Sequence, residues 1–135
     1  MKTLLTGADG LVGSTIQAQV NLFSKHDVDL RDRNRVFDYF NMYKPEAVIH
    51  TAAKVGGLGA NMNFMSDFYS DNILINTNVL DAAQRIGVKQ VVSFLSTCIF
   101  PDMPTSLLTE NMLHEGEPHP SNFGYAYAKR MLEVQ

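Results

Sequence analysis

This 135-residue sequence predicts an α/β fold, a parallel sheet with helices on both faces, on three observations. Short apolar runs alternate with stretches of helical periodicity. The stretch Thr6-Gly7-Ala8-Asp9-Gly10-Leu11-Val12-Gly13 follows the first apolar run and opens an amphipathic segment. Small and polar residues gather where later runs end, at His50 to Ala53 and at Ser96 to Cys98. In an open parallel sheet those carboxyl ends are where ligands bind.

The first strand is residues 2–6, and the turn after it is a dinucleotide grip of Rossmann type. Glycine at 7, 10 and 13 permits φ > 0, close approach of backbone N–H groups to a pyrophosphate, and tight helix packing. Three glycines alone suit any surface turn, but here they end a strand and open the stripe Leu11, Val12, Ile16, Ala18 and Val20. Gly7, Gly10, Leu11, Val12 and Gly13 are therefore the expected cofactor contacts. About two helical turns fit before a second strand over 20–23, which Ser24-Lys25-His26-Asp27 ends. The adenosine ribose of a dinucleotide belongs at that end. Lys25, His26 and Arg31 favour the extra phosphate of NADP, whereas Asp27 and Asp29 favour the free ribose of NAD, with Asp9 adding negative charge. Solvated loop charges account for the same residues equally well.

Residues 31–43 carry Val36, Phe37, Phe40 and Tyr43 at helical spacing, closed by Pro45. A buried strand follows over 47–49, with His50 read as a packed, hydrogen-bonded histidine at its end. Ala52, Ala53 and the loop 55–59 are small and leave room for a cofactor. Residues 67–86 form the longest helical signal, stopped by Gly87 and interrupted by Asn72, Asn76 and Asn78. One of these amides is expected to bond a neighbouring strand and the others to be exposed. The run 90–95 is the fourth strand, and residues 100–121, with four of the five prolines, read as a long loop. A final helix spans 123–134. A sheet order of 3-2-1-4 is expected, which leaves the run 90–95 as a long apolar edge prone to self-association.

Composition bounds the function. The chain is one domain, residues 1–135, with 45% hydrophobic and 19% charged residues, which excludes disorder and a fibrous protein. No segment has the length of a membrane span, and a net charge of −3 without a basic run offers no nucleic-acid surface. No metal is expected. One cysteine, Cys98, and no apolar leader at the N-terminus point to a reducing cytoplasm.

The candidate chemistry sits on Ser96, Tyr125 and Lys129; by itself Cys98 reads as a small buried hydrophobe. Tyr125 and Lys129 are one helical turn apart and face the same way. An ammonium beside a phenol favours the phenolate and makes the tyrosine a proton donor and acceptor near neutrality. Ser96 would bond the same substrate oxygen. With Gly7-x-x-Gly10-x-x-Gly13, these residues resemble the extended short-chain dehydrogenase/reductase family.

A finer pattern resembles the GDP-L-fucose synthases within it: Ala52-Ala53-Lys54-Val55-Gly56-Gly57, Asn72, Ser96-Thr97-Cys98-Ile99-Phe100-Pro101 and Ser121 to Arg130. The resemblance implies an NADPH-dependent 3,5-epimerase and 4-reductase of GDP-4-keto-6-deoxy-D-mannose, homodimeric through the long helix and the Tyr-Lys helix. Tyr125 would protonate the C4 oxygen, Lys129 would hold the nicotinamide ribose and lower the tyrosine pKa, Ser96 would orient the keto group, and Cys98 would be the epimerising base. It also implies that the chain is truncated, with the catalytic histidine, the last strands and the substrate domain beyond Gln135; His114 and His119 precede Tyr125 and do not match that histidine. The stretch between Gly13 and Asp29 is shorter than in typical members, and Asp9 replaces a basic residue of some relatives. The alternatives are a non-catalytic cofactor-binding or dimerising module, or another sugar-nucleotide epimerase or dehydratase.

Overall fold

Four parallel strands form the sheet of the computed structural model, which describes residues 1–19, 23–24, 28–102 and 107–135. Val20, Lys25, His26, Asp27 and Pro104 lie outside the described residues. The strands are β1 (Thr3–Thr6), β2 (Phe23–Ser24), β3 (Ala47–His50) and β4 (Gln90–Ser93), in the order β2-β1-β3-β4.

That order corrects the expected 3-2-1-4. β3 pairs directly with β1, from Thr3 opposite Ala47 to Thr6 opposite His50, and carries β4 on its other side. Burial gives the reason. Ala47 and Val48 are consecutive, point to opposite faces and are both buried, so β3 needs neighbours on both sides and cover on both faces. The fourth strand does lie at an edge, as expected, but it is shorter than the predicted 90–95 and is not buried: Val91, Val92 and Phe94 are all exposed.

The helices are α1 (Leu11–Gln19), α2 (Arg33–Tyr43), α3 (Leu58–Asn63), α4 (Met65–Ile86) and α5 (Phe123–Val134). Asp32 starts α2 two residues later than predicted, because its carboxylate accepts the N–H groups of Asn34 and Arg35. Lys44, in the left-handed region at φ 50°, and Pro45 stop it. α4 ends at Gly87, as expected, with φ +79°; the Gly87 N–H bonds the Gln84 carbonyl and the Val88 N–H that of Ala83. α3 replaces part of the predicted small-residue loop; six residues are too few for a periodic signal. The described residues of 100–102 and 107–121 are irregular apart from short 3₁₀ turns and a bridge pairing Pro101 with Pro118.

The chain divides into two compact units, Met1–Ala53 with Leu74–Phe94, and Lys54–Ile73 with Leu95–Gln135. In the first, Leu4 and Val48 of the sheet pack with Val36, Tyr39 and Phe40 of α2 and with Val79, Ala82 and Ala83 of α4. In the second, Phe68, Ile99, Leu113, Ala126, Ala128 and Leu132 are buried. All three asparagines of α4 are buried, which corrects the expected exposure. Asn76 and Asn78 serve the first unit, bonding His50 and the Leu30 carbonyl; Asn72 serves the second. Among the described residues no helix is long and apolar enough to cross a membrane.

Candidate functional site

The glycine turn of the first unit takes the expected shape for stated reasons. Gly7 has φ +75°, and a Cβ there would lie 2.6 Å from the Ala52 backbone. A Cβ on Gly13 would meet the Gly7 carbonyl oxygen at 2.1 Å, so only glycine lets α1 start this close to β1. Gly10 is looser, with the nearest atom 3.3 Å away. Its N–H closes the turn onto the Gly7 carbonyl at 3.0 Å. The first turn of α1 then begins at Leu11 and Val12, whose side chains are exposed and whose backbone N–H groups have no carbonyl of their own helix to bond. That cradle fits a pyrophosphate. Thr51 ties the turn to β3, its hydroxyl donating to the Thr6 carbonyl at 2.6 Å, and so holds Ala52 against Gly7 and keeps Ala53 alongside.

A cavity of about 170 Å³ adjoins this turn, lined in part by Gly7, Ala8, Asp9, Leu30 and Ala52. His50, below it in β3, is buried and satisfied. Its Nδ1 lies 2.7 Å from the Thr6 hydroxyl, and its Nε2 lies 3.1 Å from Asn76 Oδ1. Since an amide oxygen only accepts, Nε2 carries the proton and Nδ1 accepts from Thr6. The histidine is a packing residue, as its place at a strand end suggested.

Ser96, Cys98, Tyr125 and Lys129 all belong to the second unit. The Ser96 hydroxyl caps the 3₁₀ turn Thr97–Ile99, accepting the Cys98 N–H at 3.3 Å, and bonds the Tyr125 phenol. Cys98 is a half-buried free thiol. It shares with Tyr125 a cavity of about 150 Å³, whose other walls are Val55, Gly56, Asn61 and Asn122. Lys129, one turn further along α5, is buried at 2% exposure.

The electrostatics differ from expectation in one respect. The Tyr125 phenol is held above its ordinary value, not below it: burial raises it most, a negative charge on Cys98 adds to that, and the Ser96 hydrogen bond pulls the other way. Burial brings the Lys129 ammonium down to about 8. In the protein by itself, then, Tyr125 is a neutral proton donor.

Three further residues, Asn72, Arg130 and Asn61, complete the setting. Asn72 is fully buried and brackets Lys54, accepting its N–H at 2.8 Å and donating to its carbonyl at 2.9 Å. Arg130, also buried, donates from Nε to the Ile99 carbonyl at 2.6 Å and so ties the turn of Cys98 to α5. Asn61 lines the cavity itself. Asn72 stood out both as a poor helix residue and as part of the finer pattern. Neither Arg130 nor Asn61 breaks a local pattern.

Residues 3–135 match the NAD dependent epimerase/dehydratase family. The chain belongs to that family. Among members, a GDP-L-fucose synthase of Dictyostelium discoideum is 48% identical over 97% of this chain and 44% of its own length. A GDP-L-colitose synthase of Yersinia pseudotuberculosis is 36% identical over 96% of this chain and 44% of its own length. The crystal structure of a GDP-L-fucose synthetase from Naegleria fowleri bound to NADP superposes with a TM-score of 0.87 at 45% identity, over 98% of this chain and 45% of that one. The chain thus spans less than half the length of the relatives it matches, and over that span it shares the family's parallel NAD(P)-binding sheet.

Proposed function

We propose that residues 1–135 are the amino-terminal, cofactor-binding part of a GDP-L-fucose synthase, which acts with NADPH on GDP-4-keto-6-deoxy-D-mannose. The observation that carries this reading is the cavity shared by Cys98 and Tyr125, with Ser96 bonded to the phenol, in a chain whose relatives of that name are up to 48% identical. Gly7, Gly10, Leu11, Val12, Gly13, Ala52 and Ala53 would hold the dinucleotide, with Lys25 at the ribose and Tyr125 and Lys129 at the nicotinamide end. The cofactor supplies hydride to C4.

The side chains supply the proton chemistry. The C4 ketone acidifies the hydrogens on the adjacent carbons, and the Cys98 thiolate removes one. The charge passes to the C4 oxygen, which the Ser96 and Tyr125 hydroxyls stabilise by hydrogen bonds. In the reduction Tyr125 gives its proton to that oxygen. A raised phenol pKa suits a donor that must stay protonated until the alkoxide forms, and the Lys129 ammonium favours the phenolate left behind. Cys98 acts only as a free thiol, so the reaction belongs in a reducing cytoplasm.

A groove of about 540 Å³ favours a homodimer. Its walls are Met65, Ser66 and Tyr69 of α4 and Phe123, Gly124, Tyr127 and Met131 of α5, nearly all apolar. A Cβ on Gly124 would meet the Met65 carbonyl at 2.3 Å, so the two helices are in close contact along it. Size-exclusion chromatography tests this, with a monomer excluding the dimer.

The test of the activity uses the protein in the full length its gene encodes. NADPH oxidation is followed with GDP-4-keto-6-deoxy-D-mannose, and deuterium uptake from solvent at C3 and C5 is followed separately. Tyr125→Phe is expected to slow reduction by about 10²–10⁴-fold. Cys98→Ser is expected to abolish deuterium uptake. Unchanged rates in either variant remove that assignment, and turnover of a UDP-sugar in preference to the GDP-sugar points to a different member of the family.

A further inference from the structure

We propose that Asn122 determines specificity in the cavity shared by Cys98 and Tyr125, where its side-chain oxygen accepts a hydrogen bond from the sugar hydroxyl on C3, beside the reacting C4 carbonyl. The inference rests on the reading above and adds a contact to the same site.

Asn122 belongs to the wall of that cavity, with Val55, Gly56, Asn61, Cys98 and Tyr125. It is also the N-cap of α5. An asparagine in that position ordinarily turns its side-chain oxygen onto the first N–H groups of its helix. Asn122 makes no such bond. The 3₁₀ turn Pro120–Asn122 runs straight into α5 and does part of that work with backbone alone: the Asn122 N–H donates to the His119 carbonyl at 3.0 Å, and the Phe123 N–H to that of Pro120. The amide is thus released from the helix.

The neighbours fix which end of the amide is spare. His119 Nδ1 accepts the Ser121 N–H at 3.2 Å and so has no hydrogen of its own. The Ser121 hydroxyl, 2.7 Å from the same nitrogen, therefore directs its hydrogen there. Its oxygen is left to accept, and Asn122 Nδ2 donates to it at 3.4 Å. Oδ1 is the end left over, and nothing among the described residues donates to it. The Asn61 oxygen on the same wall is sealed in the interior without a partner; Asn122 is only half-buried, and its oxygen is not closed off in that way. A fixed acceptor in the cavity wall is therefore open to a ligand.

Chemistry selects the ligand atom. An amide oxygen accepts only from donors, so it takes neither a keto oxygen nor a phosphate. None of the residues lining this cavity is a lysine or an arginine, so the anionic end of a nucleotide sugar has no counter-charge here. In the proposed reaction the C4 oxygen accepts from Ser96 and Tyr125. Tyr125 follows three residues after Asn122, which brings the two side chains to one side of the start of α5. Of the two carbons beside C4, C3 carries a hydroxyl and C5 a methyl group. The donor next to the carbonyl is therefore the C3 hydroxyl, and a substrate with hydrogen in its place leaves Oδ1 without that bond.

The experiment uses the protein in the full length its gene encodes. It compares kcat/KM for NADPH oxidation with GDP-4-keto-6-deoxy-D-mannose and with the analogue lacking the C3 hydroxyl. The unsubstituted protein is expected to prefer the hydroxylated sugar by roughly tenfold. Asn122→Ala should lower that ratio to about one, and because both sugars meet the same preparation, the fraction of protein folded cancels. Asn122→Gly, which a helix N-cap tolerates, is a second deletion for the case in which the alanine variant does not fold. Asn122→Asp keeps an acceptor at the same place and should preserve the preference. An unchanged ratio in the two deletions, including one in which both rates fall together, marks a merely structural role and overturns the assignment, as does equal use of both sugars by the unsubstituted protein. Oxidation of NADPH with neither sugar instead removes the proposed function, and this inference with it.

Discussion

Lys129 shows what burial does to a charged side chain. At 2% exposure its ammonium is brought down from 10.5 to about 8. Below pH 8 the folded chain must carry a charge in a poorly solvated place, whereas the unfolded chain solvates it freely. Because the unfolded state binds the extra proton between pH 8 and 10.5, stability from this group rises with pH across that window. Lys129→Met is therefore expected to raise the melting temperature at pH 7, corresponding to ~1–3 kcal/mol, with the advantage shrinking toward pH 10.5. Thermal melts from pH 7 to 10 check the sign. Asn72 is the opposite case, since its three hydrogen bonds, to the Lys54 N–H and to the Lys54 and Phe68 carbonyls, reward its burial. Asn72→Ala should cost about 2–3 kcal/mol in urea unfolding. Neither value could be assigned from composition, because each depends on which backbone groups the side chain meets.

The glycine turn and α2 show how far local chemistry specifies an element. Gly13→Ala should destabilise the protein by more than ~2 kcal/mol and weaken NADPH binding, since the added methyl would sit 2.1 Å from the Gly7 carbonyl oxygen. Denaturant unfolding and fluorescence titration measure the two effects. Asp32→Ala removes the cap that accepts two N–H groups at the start of α2 and should cost about 1 kcal/mol, read from the shift in urea midpoint. Turns and stops were legible because they depend on residues adjacent in the chain: Gly7, Gly87, Pro45 and α5 came out as predicted, whereas the Asp32 cap did not. α3 was not legible. It has no periodic stripe, and its N-cap, Gly57, makes no side-chain hydrogen bond.

Across the whole molecule the sheet edge matters most. Among the described residues β4 pairs only with β3, and its Val92 is 45% exposed, so a row of strand polar groups lies beside apolar side chains. Such an edge invites pairing with another chain. Self-association of the 135-residue chain is expected, and Val92→Lys should reduce it, as sedimentation velocity over a range of concentrations will show.

Legibility followed physical reach. The alternation of elements, the shape of the glycine turn and the choice of Ser96, Tyr125 and Lys129 as candidate groups were read from the sequence alone, because periodicity, glycine geometry and side-chain chemistry belong to short stretches. Strand order, the burial of all three α4 asparagines, the upward shift of Tyr125 and the unpartnered oxygen of Asn61 were decided only by the tertiary structure. Each of these depends on desolvation and on contacts between residues distant in the chain, and those exist only once the chain has folded.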